Sequence, residues 1–225
     1  MRHDGPMISV VIPTLNAERL LPRCFDSLIP AAVRGVVREV IVCDAGSTDA
    51  TLAIADAAGA HIVHARKGRS LQLAQGAGTA KADWLLFLHP QTALEPGWEV
   101  EAESFISQAA MERPRAAVFR FALEDFGGEA RRAEFKANLR TALFALPYGD
   151  QGLLIPKRLY QKIGGYRALA DMEDADLVRR IGRRRLVSLR ARAVNIARPP
   201  KSAQRALALM LLHTLRVPSG VLAKL

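Results

Sequence analysis

The sequence predicts an α/β fold, a mostly parallel central sheet flanked by helices, followed by a C-terminal helical extension. Three observations carry this. Strand-like runs in the first half, such as "ISVVIP", "EVIVC" and "WLLFL", are continuously apolar, as strands buried on both faces are. Each run is separated from the next by a stretch with helical spacing of its apolar residues. The runs then stop at short polar or glycine-containing loops, the edge where open α/β sheets hold their ligands.

In chain order, "MISVVIP" reads as a strand. "AERLLPRCFDSL" reads as one helix, with Leu20, Cys24 and Leu28 on one face and Leu21 and Phe25 beside them. "REVIVCD" is a second strand, "TDATLAIADAA" a helix closed by Gly59, and "HIVHA" a third strand. "SLQLAQGAGTAKA" is a helix and "DWLLFLH" a fourth strand. Four strand ends therefore become candidate ligand loops: Pro13 to Asn16, Asp44 to Ser47, Ala65 to Arg69, and the loop that opens at His89. The second half reads as helix "GWEVEAESFISQAA", strand "AAVFRFALEDF", helix "ARRAEFKANLRTALFAL", strand "LLIP" and helix "KRLYQKIG", the last stopped by Gly164 and Gly165. "MEDADLVRRIG" starts acidic and ends basic, as a helix dipole favours. "RLVSL" and "AVNIA" read as strands, and "SAQRALALMLLHTLRV" as a final apolar helix ended before Pro218.

At 225 residues, 50% hydrophobic and 24% charged, the chain can bury a sizeable core. "MRHDGPM" has no apolar segment of signal-peptide length, and no run approaches the ~18 apolar residues that span a bilayer. Cys24 and Cys43 lie in a helical and a strand-like pattern, which suits reduced core thiols in a cytoplasmic protein. The net charge is +10, concentrated in Arg179, Arg180, Arg183, Arg184, Arg185, Arg190, Arg192, Arg198 and Lys201. Aromatics are only 6% of the chain and none interleaves with these arginines, so nucleic acid is not the expected partner. Beside the apolar "ALALMLL", the cluster reads either as a solvated flank or as a peripheral contact with an anionic inner membrane face.

Several motifs can carry chemistry. Asp44 ends a strand, Gly46 permits a tight turn, and Ser47 or Thr48 can cap the next helix, which aims a carboxylate and backbone N–H groups at one place. The same pattern is also an ordinary strand–turn–cap. Arg66, Lys67 and Arg69 precede a helix start, where cations and N–H groups suit a diphosphate. Asp171, Glu173, Asp174 and Asp176 crowd carboxylates that either satisfy a helix N-terminus or supply a general base. "PYGDQG" offers Tyr148 and Asp150 to a polar acceptor. His61, His64 and His213 read as packing or surface residues. Neither the Gly-x-Gly-x-x-Gly fingerprint nor a P-loop is present.

Taken in order, "ISVVIPTLNAERLLPRCFDSL", "EVIVCDAGSTDATLAIA", "GRSLQLAQGAGTAKADWLLFLHPQT", "YGDQGLLIPKRLYQKIGGY" and "MEDADLVRRI" resemble the family-2 glycosyltransferases of the GT-A fold. The nearest resemblance is to a short bacterial branch associated with radical-SAM/selenodomain proteins. It implies one domain over about 1–200, with a nucleotide-binding half near 7–92, an acceptor and catalytic half near 93–200, and the extension 201–225. It further implies an inverting enzyme that moves a sugar from a nucleotide-diphosphate donor to an acceptor hydroxyl. Pro13, Thr14, Asn16 and Glu18 match the first nucleotide loop. Asp44 matches the base-reading carboxylate, with Gly46, Ser47 and Asp49 completing that loop. Arg69 matches a basic residue near the diphosphate, and Asp174 matches the catalytic base. Tyr148, Asp150 and Glu173 fall on the acceptor side.

One loop departs from the family. Relatives commonly read His-Ala-Asp-Thr where this chain has His89-Pro90-Gln91-Thr92, and Ala45 stands where many have a second aspartate. The expected divalent cation, Mn²⁺ or Mg²⁺, would meet His89 and Gln91, and an amide oxygen is a weaker ligand than a carboxylate. Three outcomes are open: a cation held with the donor's own diphosphate, replacement by Arg and Lys, or loss of transfer with nucleotide or partner binding retained. A nucleotidyltransferase is disfavoured, because no glycine-rich phosphate loop follows the first strand.

Overall fold

The computed structural model describes residues 7–111, 114–125, 127–144 and 149–196. Ile8–Thr14 (β1) is buried along its whole length, which explains its lack of polar alternation. It runs parallel to Val37–Asp44 (β2) on one side and Trp84–Phe87 (β4) on the other, and β2 pairs in parallel with His61–His64 (β3). The remaining strands are Thr92–Leu94 (β5), Ala116–Leu123 (β6), Leu153–Pro156 (β7) and Leu186–Asn195 (β8). They extend the sheet in the order β3-β2-β1-β4-β7-β6-β8-β5. Parallel pairing holds through β3-β2-β1-β4 and returns between β6 and β8, whereas β7 and β5 pair antiparallel with their neighbours. The expected α/β sheet is present, parallel in its first half and mixed in its second.

Helices Leu21–Asp26 (α1), Ile29–Val33 (α2), Thr51–Ala57 (α3), Arg69–Thr79 (α4), Trp98–Met111 (α5), Gly128–Phe144 (α6), Lys157–Lys162 (α7) and Glu173–Ile181 (α8) connect these strands. Two cores result, one on each face of the sheet. Trp98, Ile106 and Leu21 pack against Ile8, Val10 and Ile12 on one face; Leu73, Leu159 and Leu177 pack against Val11, Ile41 and Leu85 on the other.

Three expectations need correction. The helix expected over "AERLLPRCFDSL" is shorter, Leu21–Asp26, and a second short helix with Pro30 in its first turn follows at Ile29–Val33. "RLVSL" and "AVNIA" are one strand, β8, whose intervening Arg190 and Arg192 are exposed and whose end pairs with short β5. "QTALEP", read as loop, contains β5. The predicted final helix, the extension 201–225, Tyr148, Arg198 and Lys201 lie outside the described residues. Among the described residues, no helix is long and apolar enough to cross a membrane.

Helix α4 crosses β1 and β2 through Gly76. A Cβ there would sit 2.5 Å from both Cys43 Sγ and Val11 Cγ1. Alanine favours a helix over glycine by about 1 kcal/mol, but forced overpacking costs about 1–3 kcal/mol and often more. Gly76→Ala is therefore expected to lower the melting temperature by several degrees in a thermal melt. An unchanged melting temperature would show that α4 does not ride this closely on the sheet.

Candidate functional site

The carboxyl ends of β1, β2 and β4 converge on one edge. Thr14 and Asp44 are register partners at the ends of β1 and β2, and the buried Gln72 of α4 donates to the carbonyls of both Thr14 (2.8 Å) and Cys43 (2.7 Å). Asp44 is fully engaged. It accepts from Thr14 Oγ1 at 3.0 Å, from Gly46 N–H at 2.9 Å, from Ser47 N–H at 2.8 Å and from the Ser47 hydroxyl. Burial opposes ionisation of Asp44, but these donors together hold its carboxyl below the usual range. Gly46, at φ +93°, supplies the turn that aims both N–H groups inward.

The first two loops are laced together. Asn16, itself left-handed at φ 51°, donates its N–H to Ser47 Oγ (2.9 Å) and accepts from Thr48 N–H (2.9 Å). Glu18 N–H donates to Asp49 Oδ2 (3.1 Å), and Glu18 Oε2 accepts from Ala50 N–H (3.1 Å). Asp49 also accepts from Thr51 N–H at 3.0 Å. Pro13 is buried beside Cys43. Asn16, Glu18, Ser47 and Asp49 thus act first on each other, giving a rigid two-loop cradle, with Asp44 at its floor.

A second group gathers around Arg69, the first residue of α4. Its Nη1 donates to Glu173 Oε1 at 2.7 Å and to Asp174 Oδ2 at 2.5 Å, while Tyr166 donates its hydroxyl to Asp174 Oδ1 at 2.8 Å. Arg69 and Asp174 line one pocket together with Tyr166, Phe87, Leu88 and Gly152. The buried Arg69 Nε–H has no acceptor among the described residues, which leaves a guanidinium donor for an anion. Burial pushes the Glu173 carboxyl up and neighbouring Asp174 adds to this, with Arg69 opposing both. Helix α8 begins at Met172, whose φ of 64° is unusual for a side-chain-bearing residue and sets Glu173 and Asp174 toward Arg69. Asp176 belongs to the frame instead: Arg180 binds it through Nε at 2.9 Å and reaches the Ile163 carbonyl at 2.6 Å. Asp171 is exposed.

The His89 loop is the third part. Gln91 N–H donates to His89 Nδ1 (3.3 Å), Thr92 N–H to the His89 carbonyl (2.9 Å) and Ile196 N–H to the Gln91 carbonyl (2.9 Å). Burial, followed by the charge of Arg69, pushes the His89 imidazole down to about 4, against the opposing pull of Asp150 and Asp174. It is neutral near pH 7, with Nδ1 as acceptor and Nε2–H as donor. Asp150 sits in the turn Gly149–Gln151, pinned by Gln151 Nε2 to the Phe119 carbonyl (2.9 Å) and by Asn195 Nδ2 to its own Oδ2 (2.8 Å).

The predicted metal position offers His89 and Gln91 to a cation. Among the described residues, no three His, Cys, Asp or Glu side chains group to hold a metal ion. The loop itself offers one imidazole and one amide, and His89 feels the charge of Arg69 on one side and of Asp150 and Asp174 on the other. The structure thus brings Arg69, His89, Asp150, Glu173 and Asp174 together, and sets Asp44 in the adjoining cradle. Tyr166, Gln72 and Asn195 were missed from sequence; the Gly164-Gly165-Tyr166 run was the one local signal, and it was read only as a helix stop.

Residues 9–106 match the family model Glycosyl transferase family 2. The chain is 35% identical over 97 residues to a PGL/p-HBAD biosynthesis glycosyltransferase of Mycobacterium bovis (strain BCG / Pasteur 1173P2), covering 40% of this chain and 37% of that protein. It is 49% identical over 59 residues to glucosyl-3-phosphoglycerate synthase of Mycobacterium tuberculosis (strain CDC 1551 / Oshkosh), covering 26% of this chain and 18% of that protein. The matched stretch is well under half the length of these curated relatives. Among solved structures, glucosyl-3-phosphoglycerate synthase from Mycobacterium tuberculosis with Mn²⁺, UDP and phosphoglyceric acid superposes with a TM-score of 0.64 at 22% identity, over 95% of this chain and 80% of that one. Residues 9–106 are thus similar to Glycosyl transferase family 2 domains, within a chain that has the GT-A fold.

Proposed function

We propose that this chain is an inverting glycosyltransferase that moves a sugar from a nucleoside-diphosphate sugar to an acceptor hydroxyl. One observation carries the reading: Asp174, the only residue whose carboxylate is shared between a guanidinium and a phenol in the pocket described above, faces Arg69 beside the Asp44 cradle. In the single displacement the acceptor oxygen attacks the anomeric carbon and the bond to the diphosphate oxygen breaks. The acceptor proton passes to Asp174, and the bonding pair leaves with the nucleoside diphosphate. Asp44, with Pro13, Thr14, Asn16, Glu18, Gly46, Ser47 and Asp49 around it, receives the nucleoside. Arg69 faces the diphosphate with its unpartnered Nε–H. Glu173 and Asp150 face the acceptor.

We assign positive charge at the leaving group to Arg69, with Arg66 and Lys67 exposed on the same loop, and no step to a protein-held cation. The known structures with Mn²⁺ and UDP belong to relatives, so the cation is an arm of the test. The motif order supports a further reading, membership of the short radical-SAM/selenodomain-associated bacterial branch with a nucleotide half ending near the His89 loop.

The test is a melting-shift series with nucleoside diphosphates, with Mn²⁺ or with EDTA, followed by donor turnover. At least one diphosphate is expected to raise the melting temperature by several degrees, and by a similar amount in EDTA. No shift with any nucleotide overturns the reading. A shift seen only with Mn²⁺, or turnover restored in proportion by Gln91→Asp, returns the cation to the site. Binding without turnover of any donor assigns the chain to nucleotide binding alone.

A further inference from the structure

We propose that Tyr166 is a positioning residue that fixes the orientation of the Asp174 carboxylate through its hydroxyl. This rests on Asp174 being the base of the reaction above. Tyr166 is buried, and its hydroxyl donates to Asp174 Oδ1 at 2.8 Å while Arg69 holds Oδ2, so the two carboxylate oxygens are oriented from opposite partners. A carboxylate on the first turn of a helix has free rotation about its side-chain bonds unless both oxygens are held.

The tyrosine is in turn placed by an aromatic shelf. Its ring stands edge-on to Phe87 of β4, with centroids 5.0 Å apart and planes at 87°. Tyr160 of α7 lies against the same Phe87, at 5.3 Å, and its hydroxyl accepts the Tyr166 N–H at 3.0 Å. Gly165, at φ +59°, makes that contact possible, because a Cβ there would meet the Tyr160 ring and hydroxyl at 2.8–2.9 Å. The run Gly165-Tyr166 is thus more than a helix stop. It brings a phenol from the end of α7 to the start of α8.

Asp174 is held from two elements: Arg69 of α4 donates to Oδ2, and Tyr166, just past α7, donates to Oδ1. Burial, with the neighbouring Asp174 carboxylate, keeps the Tyr166 phenol protonated and therefore a donor, since its ionisation lies well above the usual phenol range.

Tyr166→Phe keeps the ring on Phe87 and deletes only the donor. The ¹³C carboxyl signal of Asp174, assigned as the one lost in Asp174→Asn, is expected to move at fixed pH when the hydrogen bond is deleted. With it, kcat is expected to fall about tenfold while donor KM changes less than about twofold. Tyr160→Phe, which loses the hold on the Tyr166 N–H, is expected to change both in the same direction by less. An Asp174 signal that stays in place and an unchanged kcat in Tyr166→Phe, in protein that melts as the parent does, overturn the proposal. A moved signal in a parent that turns over no donor sinks the activity reading while the Tyr166–Asp174 contact stands.

Discussion

Asp174→Asn is expected to reduce turnover about a thousandfold while nucleotide affinity stays within about twofold of the parent. A positioned general base contributes about 10²–10⁴ in rate, and the asparagine amide keeps the shape but cannot take the acceptor proton. Nucleotide affinity is expected to survive because the Asp44 cradle, on β1, β2 and their loops, is built from other elements. Diphosphate release and calorimetric titration with the nucleotide read the two quantities separately. Turnover within tenfold of the parent would remove Asp174 from the role of base. Affinity lost together with turnover would mean that the variant damages the pocket rather than its chemistry.

Arg69→Met is the second large effect, and its sign with pH is specific. In the parent, Nη1 of Arg69 stands 2.7 Å from Glu173 and 2.5 Å from Asp174, and its side chain is 31% exposed. Removing one partner of a fully buried pair costs about 3–5 kcal/mol; with this exposure about 2 kcal/mol is the expected loss near neutral pH. Burial, with Asp174, already raises the Glu173 carboxyl above 4.5, and loss of Arg69 raises it further. A carboxyl whose folded pKa lies above its unfolded value adds stability only while protonated. That contribution is complete below about pH 4.5 and is lost as pH rises through the folded value. The melting deficit of Arg69→Met relative to the parent is therefore expected to be small near pH 4.5 and to grow toward pH 8. Nucleoside-diphosphate affinity is expected to drop at least tenfold, since a charge-assisted contact is lost. An equal melting deficit at both pH values would show that the two carboxylates do not depend on this cation.

The sequence order of strands was legible wherever burial on both faces left continuous apolar runs. β1, β2 and β4 were read nearly to their ends for that reason. β5 was not, since Thr92–Leu94 is a strand only through its pairing with β8, more than 90 residues later in the chain by the register Thr92↔Asn195. The helix read over Ala17 to Leu28 was over-read for a related cause: apolar spacing at Leu20 and Leu28 continues past the ends of α1, Leu21–Asp26. Asp44 and Asp174 were singled out from motif. Whether an acid in "MEDADL" faces the pocket or the frame was not, since Asp174 and Asp176 differ only in which partner, Tyr166 or Arg180, tertiary packing delivers to them.

By itself, the sequence determined the layered α/β class, the four loop edges and the chemical types gathered there, because periodicity and residue chemistry are local properties. Only the tertiary structure decided how those types divide their work. Asn16, Glu18 and Asp49 lace the first two loops together, Arg69 bridges Glu173 and Asp174, and His89 lies between the charge of Arg69 and those of Asp150 and Asp174. Hydrogen bonds between loops some 30 or 100 residues apart, as between Asn16 and Thr48 or Arg69 and Asp174, exist only once the sheet aligns its strand ends. That alignment is a consequence of burying two apolar faces at once, which no single segment encodes.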